Sequence, residues 1–227
     1  SVFKITDNYA LGFHRLAIMG ETDGGSDQPF VIKSNNMYDG QLDAYDTVIC
    51  VCNGEIYNWV ELNDKYRLGI VDNADCSIIP LLYRKCSFSA SRFASMFTST
   101  VKGEFAFILI HLNSDKTIKR VITGRDTIGV RPLYVCNQKD YLILSSEIKG
   151  MPFQGADIHE SCPGKVSIYK QDEYSVREIE FSEIYKIRPP PPIIDQESKI
   201  ISNLRQSVIN SVSRRLIADR PIGFLLS

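Results

Sequence analysis

The sequence predicts an antiparallel, layered α+β domain that is followed by the first elements of an α/β domain. Short β-type runs separated by Gly, Asp, Asn or Pro recur from residue 10 to about residue 182, which is the spacing of a meandering antiparallel sheet. The run 105–110 is apolar at every position, as is typical of a strand that is covered on both faces. A proline run, a helical pattern and a last apolar run then follow.

The individual elements follow from local sequence patterns. Strands are predicted over residues 11–19, 29–33, 47–52, 103–112, 118–123, 133–136, 141–146, 165–169 and 174–180. Helices are predicted over residues 58–68, 75–85 and 89–97. The second helix has the clearest pattern, because Ile78, Leu82 and Tyr83 recur at helical spacing. Asp75 could cap its start.

A domain boundary is predicted at the proline-rich segment 188–195. Prolines at positions 189–192 restrict φ and favour a semi-rigid polyproline II spacer. Beyond it, an apolar stripe with four-residue steps predicts a helix over residues 198–218, and an apolar strand is predicted up to Ser227. The stripe consists of Ile200, Leu204, Val208, Val212 and Leu216. The predicted domains are therefore 1–187 and 196–227, with the linker 188–195 between them.

Composition excludes several classes of partner. The chain has 227 residues, 44% of them hydrophobic, and a net charge of −1, so we expect no nucleic acid or anionic membrane partner. No apolar run approaches the roughly 18 residues that cross a bilayer, and residues 1–30 lack the pattern of a secretory signal. The six cysteines show no disulfide or zinc spacing. A cytoplasmic protein without a metal site is expected, and none of the three histidines is assigned a role.

The most informative segment is 50–58, where an apolar run meets Asn53-Gly54 and an acidic, amide-rich stretch follows. A strand that ends there would present two hydrogen-bond donors, the Asn53 carboxamide and the Gly54 backbone N–H. Two such donors at one point can stabilise a developing oxyanion. Asn-Gly between hydrophobic runs is also the commonest signal for a short hairpin turn. This segment alone does not choose between the two interpretations.

Three further positions have both a structural and a functional interpretation. Arg15 lies in a strand-like run and either reaches the surface, as most arginines do, or binds a carboxylate. Asp75 is either a helix cap or an acceptor for an ammonium group. The charged loop 124–132 favours a structural interpretation, in which Arg125 and Asp126 pair with each other or with the backbone.

Taken in order, these segments resemble one known family. The motifs are Phe13-His14-Arg15-Leu16-Ala17-Ile18, Gln28-Pro29, Asn53-Gly54-Glu55-Ile56-Tyr57-Asn58, Asp75-Cys76, Gly103-x-Phe105-Ala106-Phe107, Gly124-Arg125-Asp126-x-x-Gly129-x-Arg131-Pro132-Leu133-Tyr134, Ser146-Glu147-Ile148-Lys149 and Pro163-Gly164. They resemble the glutamine-hydrolysing half of class II glutamine amidotransferases. The last segment, 220–227, is similar to the strand that leads into the pyrophosphate loop of the asparagine synthetase family.

The resemblance implies an N-terminal-nucleophile (Ntn) αββα sandwich and specific roles in binding glutamine. Arg15 would hold the α-carboxylate of glutamine and Asp75 its α-ammonium group. Asn53 and Gly54 would form the oxyanion hole, with Glu55 beside the substrate. The pocket would be lined by Leu16, Ala17, Ile18 and Met19.

The resemblance also implies a second half-reaction, in which ATP, Mg²⁺ and aspartate are used to make asparagine. The expected ATP contacts are Leu225, Leu226 and Ser227. Glutamine, aspartate and ATP are thus the expected partners, and homodimer formation is left open.

Two departures from the family pattern matter. The family's nucleophile is an N-terminal cysteine whose own amine acts as the base, and none of the six cysteines is so placed. Ser1 is rejected as a substitute because only 14 residues precede Arg15, which are too few to hold the family's earlier strands. The rest of the pyrophosphate loop should follow Ser227. We therefore expect a segment of an asparagine synthetase that is inactive by itself.

Three alternatives stay open at the level of sequence. The first is another class II amidotransferase, such as the glucosamine-phosphate or amidophosphoribosyl enzyme. The second is a β-lactam synthetase-like cyclase with a decayed glutamine site. The third is a non-enzymatic module that binds an amino acid.

Overall fold

The computed structural model describes residues 2–14, 27–33, 46–70, 74–138, 141–151, 157–169, 176–180 and 197–225. The strands are β1 Val2–Ile5, β2 Ala10–Phe13, β3 Phe30–Lys33, β4 Thr47–Ile56, β5 Gly103–Leu112, β6 Ile118–Arg125, β7 Tyr134–Asn137, β8 Leu142–Ser145, β9 Ile158–Glu160, β10 Lys165–Tyr169 and β11 Val176–Glu180. The helices are α1 Trp59–Tyr66, α2 Ile78–Lys85, α3 Ala90–Thr100 and α4 Glu197–Arg214. Short 3₁₀ helices span Asp75–Ser77 and Ile148–Gly150.

A six-stranded antiparallel sheet organises the described residues. Its strand order is β11-β10-β6-β5-β4-β3, which places the two longest strands, β4 and β5, next to each other. They pair along their whole length, from Thr47 opposite Leu112 to Ile56 opposite Gly103. Two smaller sheets are formed by β8-β7-β9 and by the hairpin β1-β2. The expected α+β class with antiparallel sheets is thereby confirmed.

Both faces of the central strands are buried. On one face, Phe97 of α3 packs edge-to-face against Phe105 and Phe107 of β5, with ring centroids 5.3 and 5.0 Å apart. On the other face, Ile110 of β5 packs with Leu11 of β2 in a separate apolar cluster. Side chains alternate between the faces of a strand, so a strand that is covered on both faces needs apolar residues throughout. This confirms the prediction made from the run 105–110.

Most predicted elements are present, with some changed boundaries. The predictions for β5 and β10 match to the residue, and α1, α2 and α3 fall within two or three residues of their predictions. The strands β1 and β9 were not predicted. Helix α4 ends at Arg214 rather than at residue 218, because the N–H groups of Arg215 and Leu216 donate to carbonyls three residues back. The predicted last strand is absent from residues 221–225, and the linker 188–195 lies outside the described residues.

Two predictions near the site were wrong. Strand β4 does not end at Cys52, because Asn53, Gly54, Glu55 and Ile56 continue to pair with β5, which also excludes a hairpin turn at Asn53-Gly54. Asp75 does not cap a helix; it is the first residue of a 3₁₀ helix whose N-cap is Ala74.

Among the helices of the described ranges, none combines the length and the apolar character that crossing a bilayer requires.

A buried hydrogen-bond network crosses the end of the sheet that lies away from Asn53. The Tyr83 hydroxyl is 2.8 Å from His111 Nδ1, and His111 Nε2 is 3.1 Å from Asp46 Oδ2, which also accepts a 2.8 Å bond from Lys119. His111 is only 1% exposed. Burial and the Lys119 charge lower the pKa of His111 to about 4, although Asp46 opposes the shift. The imidazole is therefore neutral near pH 7.

This network predicts that the protein loses stability as the pH falls from about 6.5 to about 4. Over that range the unfolded state binds a proton at His111 that the folded state does not. The predicted slope is up to about 1.4 kcal/mol per pH unit. Urea unfolding across this range should show a smaller slope for His111→Gln than for the matched His159→Gln control, which changes an exposed histidine. Equal slopes for the two variants would contradict the assignment.

Candidate active site

A cavity of about 620 Å³ lies at the end of β4 where the chain passes Asn53. Small-molecule sites in proteins usually have volumes of about 300–1,000 Å³, so the space suits one small molecule. Six segments contribute to its wall: Gly12–His14 at the end of β2, Gln28 with Phe30, Cys52–Glu55, Ala74–Cys76, Arg131, and the segment from Ser145 to Gly150. The wall combines carboxylates, cations and backbone groups with a few apolar side chains.

The side chain of Gln28 ends the pairing of β3 with β4. The last paired residues of these strands are Phe30 and Cys50. The Cys52 N–H donates to Gln28 Oε1 at 2.6 Å, and Gln28 Nε2 donates to the Cys52 carbonyl at 3.0 Å. The carboxamide thus takes the place of one strand residue. Beyond it, this edge of β4 is open to the cavity.

The register assigns the Gly54 N–H to this open edge. Its partner Phe105 donates its own N–H to Asp126 Oδ2 and accepts a bond from the Asp126 N–H. Phe105 therefore turns its backbone groups away from β4, and in an antiparallel pair Gly54 must do the same. Consistently, the Gly54 carbonyl accepts a bond from the Cys76 thiol at 3.4 Å, on the side away from β5. The Gly54 N–H lies on that same side.

Close approach of β4 and β5 requires glycine at position 54. Gly54 has φ +142°, and a Cβ built on it would lie 2.0 Å from the Glu104 carbonyl oxygen and 2.6 Å from Phe105 Cα. On the opposite strand, a Cβ on Gly103 would lie 2.2 Å from the Glu55 carbonyl oxygen. Glycine within a strand commonly marks such an approach. The Asn-Gly pair is therefore explained by strand contact and not by a turn.

Asp75 connects the helical layer to the end of β4. Its Oδ2 accepts the Ile56 N–H at 2.6 Å, and the residue is only 8% exposed although it lines the cavity. Its negative charge also acts on Glu55, the next acidic group along the wall. Burial, followed by Asp75 and Glu104, raises the pKa of Glu55, while Arg131 opposes the shift. The end of β4 is thus rich in partly buried negative charge.

The charged loop after β6 has the structural role that the sequence predicts. It binds β5 on the edge that faces away from β4. The Asp126 carboxylate accepts backbone N–H groups from Ile128, Gly129, Val130, Arg131 and Phe105. The Arg125 guanidinium donates to the carbonyls of Gly129, Arg131 and Ser161 and pairs with Glu160 at 2.7 Å. Both side chains therefore bind mainly the backbone, and neither faces the cavity.

The cavity brings together four of the residues singled out from the sequence. Asn53, Gly54, Glu55 and Asp75 all line it. Arg15, Leu16, Ala17, Ile18 and Met19 lie outside the described residues, but His14, which precedes them, is on the wall. At the other end of the chain, Leu225 is fully exposed, and Leu226 and Ser227 lie outside the described residues.

Sequence reasoning missed several contributors to the cavity wall. His14, Gln28, Cys76 and Arg131 received no functional role from the sequence, yet all four line the cavity. Each belongs to a short motif that was recognised without being given a role, as does the segment with Glu147 and Lys149. The motifs therefore carried a signal, but only the fold shows that they converge.

Comparison with known proteins identifies the family. The family described as "Glutamine amidotransferase domain" matches residues 14–152, a range that contains the segments lining the cavity apart from Gly12 and Phe13. The chain therefore belongs to the glutamine amidotransferase domain family.

Within that family, the chain is similar in sequence to asparagine synthetases. It is 30% identical to a probable glutamine-hydrolysing asparagine synthetase of Acanthamoeba polyphaga mimivirus and 31% identical to the asparagine synthetase of Cricetulus griseus. It is 29% identical to a putative asparagine synthetase of Methanocaldococcus jannaschii. These matches cover 96–97% of this chain but only 38%, 39% and 46% of the relatives. The chain thus spans less than half the length of these relatives.

Solved structures support the fold assignment. The glutamine phosphoribosylpyrophosphate amidotransferase of B. subtilis matches with a TM-score of 0.53 and 21% identity, over 68% of this chain and 32% of that one. A structure titled as the allosteric regulatory enzyme of purine biosynthesis matches with a TM-score of 0.54 and 21% identity, over 74% of this chain and 34% of that one. The expected Ntn-type amidotransferase fold is thereby confirmed.

The close approach of the strands predicts that Gly54→Ala is strongly destabilising. The added Cβ would overlap backbone atoms that cannot move without breaking the β4–β5 pairing. We expect a loss of about 3 kcal/mol or more in the free energy of unfolding, measured by urea denaturation. Gly150→Ala is the matched control because nothing lies within 4 Å of its added Cβ. A Gly54→Ala protein as stable as this control would contradict the described strand geometry.

Proposed function

We propose that the cavity binds L-glutamine and that the domain releases the side-chain nitrogen for the synthesis of asparagine. The observation that carries the proposal is the shared wall of Asn53, Gly54 and Asp75 in a member of the glutamine amidotransferase family. These residues come from a strand end and from a 3₁₀ helix that are 19 or more residues apart along the chain. Their convergence supports binding of one polar molecule that carries both an ammonium group and an amide.

Each polar group on the wall is given a role that its chemistry permits. The Gly54 N–H and the Asn53 carboxamide are the proposed donors to the oxyanion that forms at the amide carbon, because preorganised donors stabilise developing charge. The Asp75 carboxylate is the proposed partner of the α-ammonium group. Arg15 is the proposed partner of the α-carboxylate, since a guanidinium can donate two parallel bonds to it. Leu16, Ala17, Ile18 and Met19 are proposed to line the same pocket.

Cys76, on the cavity wall, and Cys50, in the core beside it, do not suit the role of nucleophile. Acyl transfer needs a thiolate. A hydrogen bond with Cys52, followed by burial, raises the pKa of Cys76 well above its usual value. Burial likewise raises the pKa of Cys50, which packs into the core. We therefore propose that these residues bind glutamine and that neither Cys76 nor Cys50 is the nucleophile that hydrolyses it.

The second half of the proposed reaction rests on the relatives. They are asparagine synthetases by name, so we propose aspartate as the acceptor, activated by ATP with Mg²⁺, in the cytoplasm. Leu225 is the described part of the proposed ATP segment, and its aliphatic side chain offers no group to a phosphate. Contact with ATP would therefore use backbone groups there, with Leu226 and Ser227. The division into 1–187, 188–195 and 196–227 is proposed from the proline run at positions 189–192.

Binding of L-glutamine should depend on Asp75. We expect Asp75→Asn to raise the dissociation constant about tenfold or more, because it removes the charge that faces the α-ammonium group. Isothermal titration with L-glutamine measures this, and D-glutamine should not bind. Asp64→Asn, on the exposed side of α1, is the matched control and should bind like the wild type. Wild-type protein that fails to bind L-glutamine would contradict the proposed function.

Arg15 should act on glutamine alone. In the complete natural protein, we expect Arg15→Ala to raise the KM for glutamine about tenfold or more. Synthesis of asparagine from aspartate, ATP and ammonia should stay near the wild-type rate, because ammonia bypasses the glutamine pocket. Steady-state assays with the two nitrogen donors separate these effects. An equal loss in both assays would refute the role given to Arg15.

A further inference from the structure

We propose that Arg215 is a positioning residue for the glutamine cavity: it docks the end of α4 on Glu104 and Tyr57 and so holds the end of β4. Arg215 follows directly after α4, outside the segment that matches the amidotransferase family. The inference rests on the proposed function, because L-glutamine is taken as the cavity's ligand. The contacts of the Arg215 side chain, however, are present in the structure without a ligand.

The Glu104 carboxylate is the centre of the contact. Its Oε1 accepts a bond of 2.7 Å from Arg131 Nη2, and its Oε2 accepts a bond of 2.8 Å from the Tyr57 hydroxyl. Arg215 Nη2 lies 3.7 Å from the same Oε2. The guanidinium carbon of Arg215 is also 4.9 Å from the centre of the Tyr57 ring, within the range of a cation–π contact. Arg215 thus contacts both members of one hydrogen-bonded pair.

This contact lies directly behind the cavity wall. Glu104 is the register partner of Glu55, and Tyr57 is the first residue after β4, with its N–H bonded to the Lys102 carbonyl at 2.8 Å. A narrow cleft separates the end of α4 from the end of β4. It is lined by Glu55, Ile56, Tyr57, Trp59, Asp75, Arg214 and Ile217. Two of these residues, Glu55 and Asp75, also line the main cavity.

Arg215 also acts electrostatically on the cavity. Burial, then Asp75 and Glu104, raise the pKa of Glu55, while Arg131 and Arg215 lower it. Arg214, which lines the cleft, adds a second positive charge at this end of α4. An ionised Glu55 beside Asp75 favours the α-ammonium group of an amino acid. Removing the Arg215 charge therefore raises the pKa of Glu55 further and weakens binding at mildly acidic pH.

The ion pair of Arg215 is too weak to contribute much to the overall stability of the domain, which favours a role in positioning. The Arg215 side chain is 52% exposed, and the ion pair at 3.7 Å is long; exposed pairs of this kind contribute little to folding. Loss of Arg215 should therefore leave the domain folded. The loss of Arg215 should instead change the packing at the end of β4 and the affinity for glutamine.

The test compares Arg215→Gln with Arg215→Lys, which keeps the charge, and with Arg205→Gln, which removes an exposed charge in the middle of α4. The first readout is acrylamide quenching of Trp59, the only tryptophan in the chain, which lines the cleft and is 8% exposed. The second readout is the dissociation constant for L-glutamine from pH 5 to 8. The first does not depend on glutamine.

We expect Arg215→Gln to raise quenching of Trp59 about twofold. We expect it to weaken L-glutamine binding about fivefold, with the pH below which binding declines shifted upwards. Arg215→Lys should restore most of both properties, and Arg205→Gln should match the wild type. Equal affinities and pH profiles for Arg215→Gln and Arg205→Gln would overturn the proposal, even if quenching differed. If the wild-type protein binds no L-glutamine, the proposed function is refuted instead. In that case, equal quenching of Trp59 in Arg215→Gln and Arg205→Gln would refute the contact of Arg215 with Glu104 and Tyr57.

Discussion

The close approach of β4 and β5 at Gly54 and Gly103 is the constraint on which the site depends. Each glycine leaves room for a carbonyl oxygen of the opposite strand, so the pairing continues to Ile56. Because Phe105 turns its backbone towards Asp126, the backbone of Gly54 must turn to the other edge. That edge is where Gln28 has ended the pairing with β3. A backbone donor is thereby held at a cavity wall without any flexible side chain.

The surrounding layers keep this strand end in place. Asp75, at the start of the helical segment, accepts the Ile56 N–H, and the aromatic side chains of α3 pack on β5. On the far side, the Asp126 carboxylate gathers the backbone of the loop after β6 and thereby holds Arg131 beside Glu104. Partly buried carboxylates are therefore concentrated around one strand end. Their repulsion is offset by backbone donors and arginines, and this charge pattern supports the proposal that the site binds an ammonium group.

The sequence predicted the pieces better than their arrangement. The uniformly apolar run was sufficient to predict β5, and the helical spacing was sufficient to predict α2. Burial on both faces and helical periodicity leave direct patterns in the sequence. Asn53-Gly54 was ambiguous because glycine serves a turn and a close strand approach equally well. The cap interpretation of Asp75 was wrong, and local sequence could not show this because its partner, the Ile56 N–H, is distant in sequence. The positions of Gln28 and Arg131 depend on long-range pairing that no local pattern encodes.

A crystal structure of the protein with L-glutamine bound tests the central claim most directly. The account predicts that the side-chain amide oxygen lies about 2.7–3.1 Å from both the Gly54 nitrogen and Asn53 Nδ2. It also predicts that the α-ammonium nitrogen lies within hydrogen-bond distance of Asp75. A ligand that occupies another surface, or one whose amide points away from Gly54, would contradict the account.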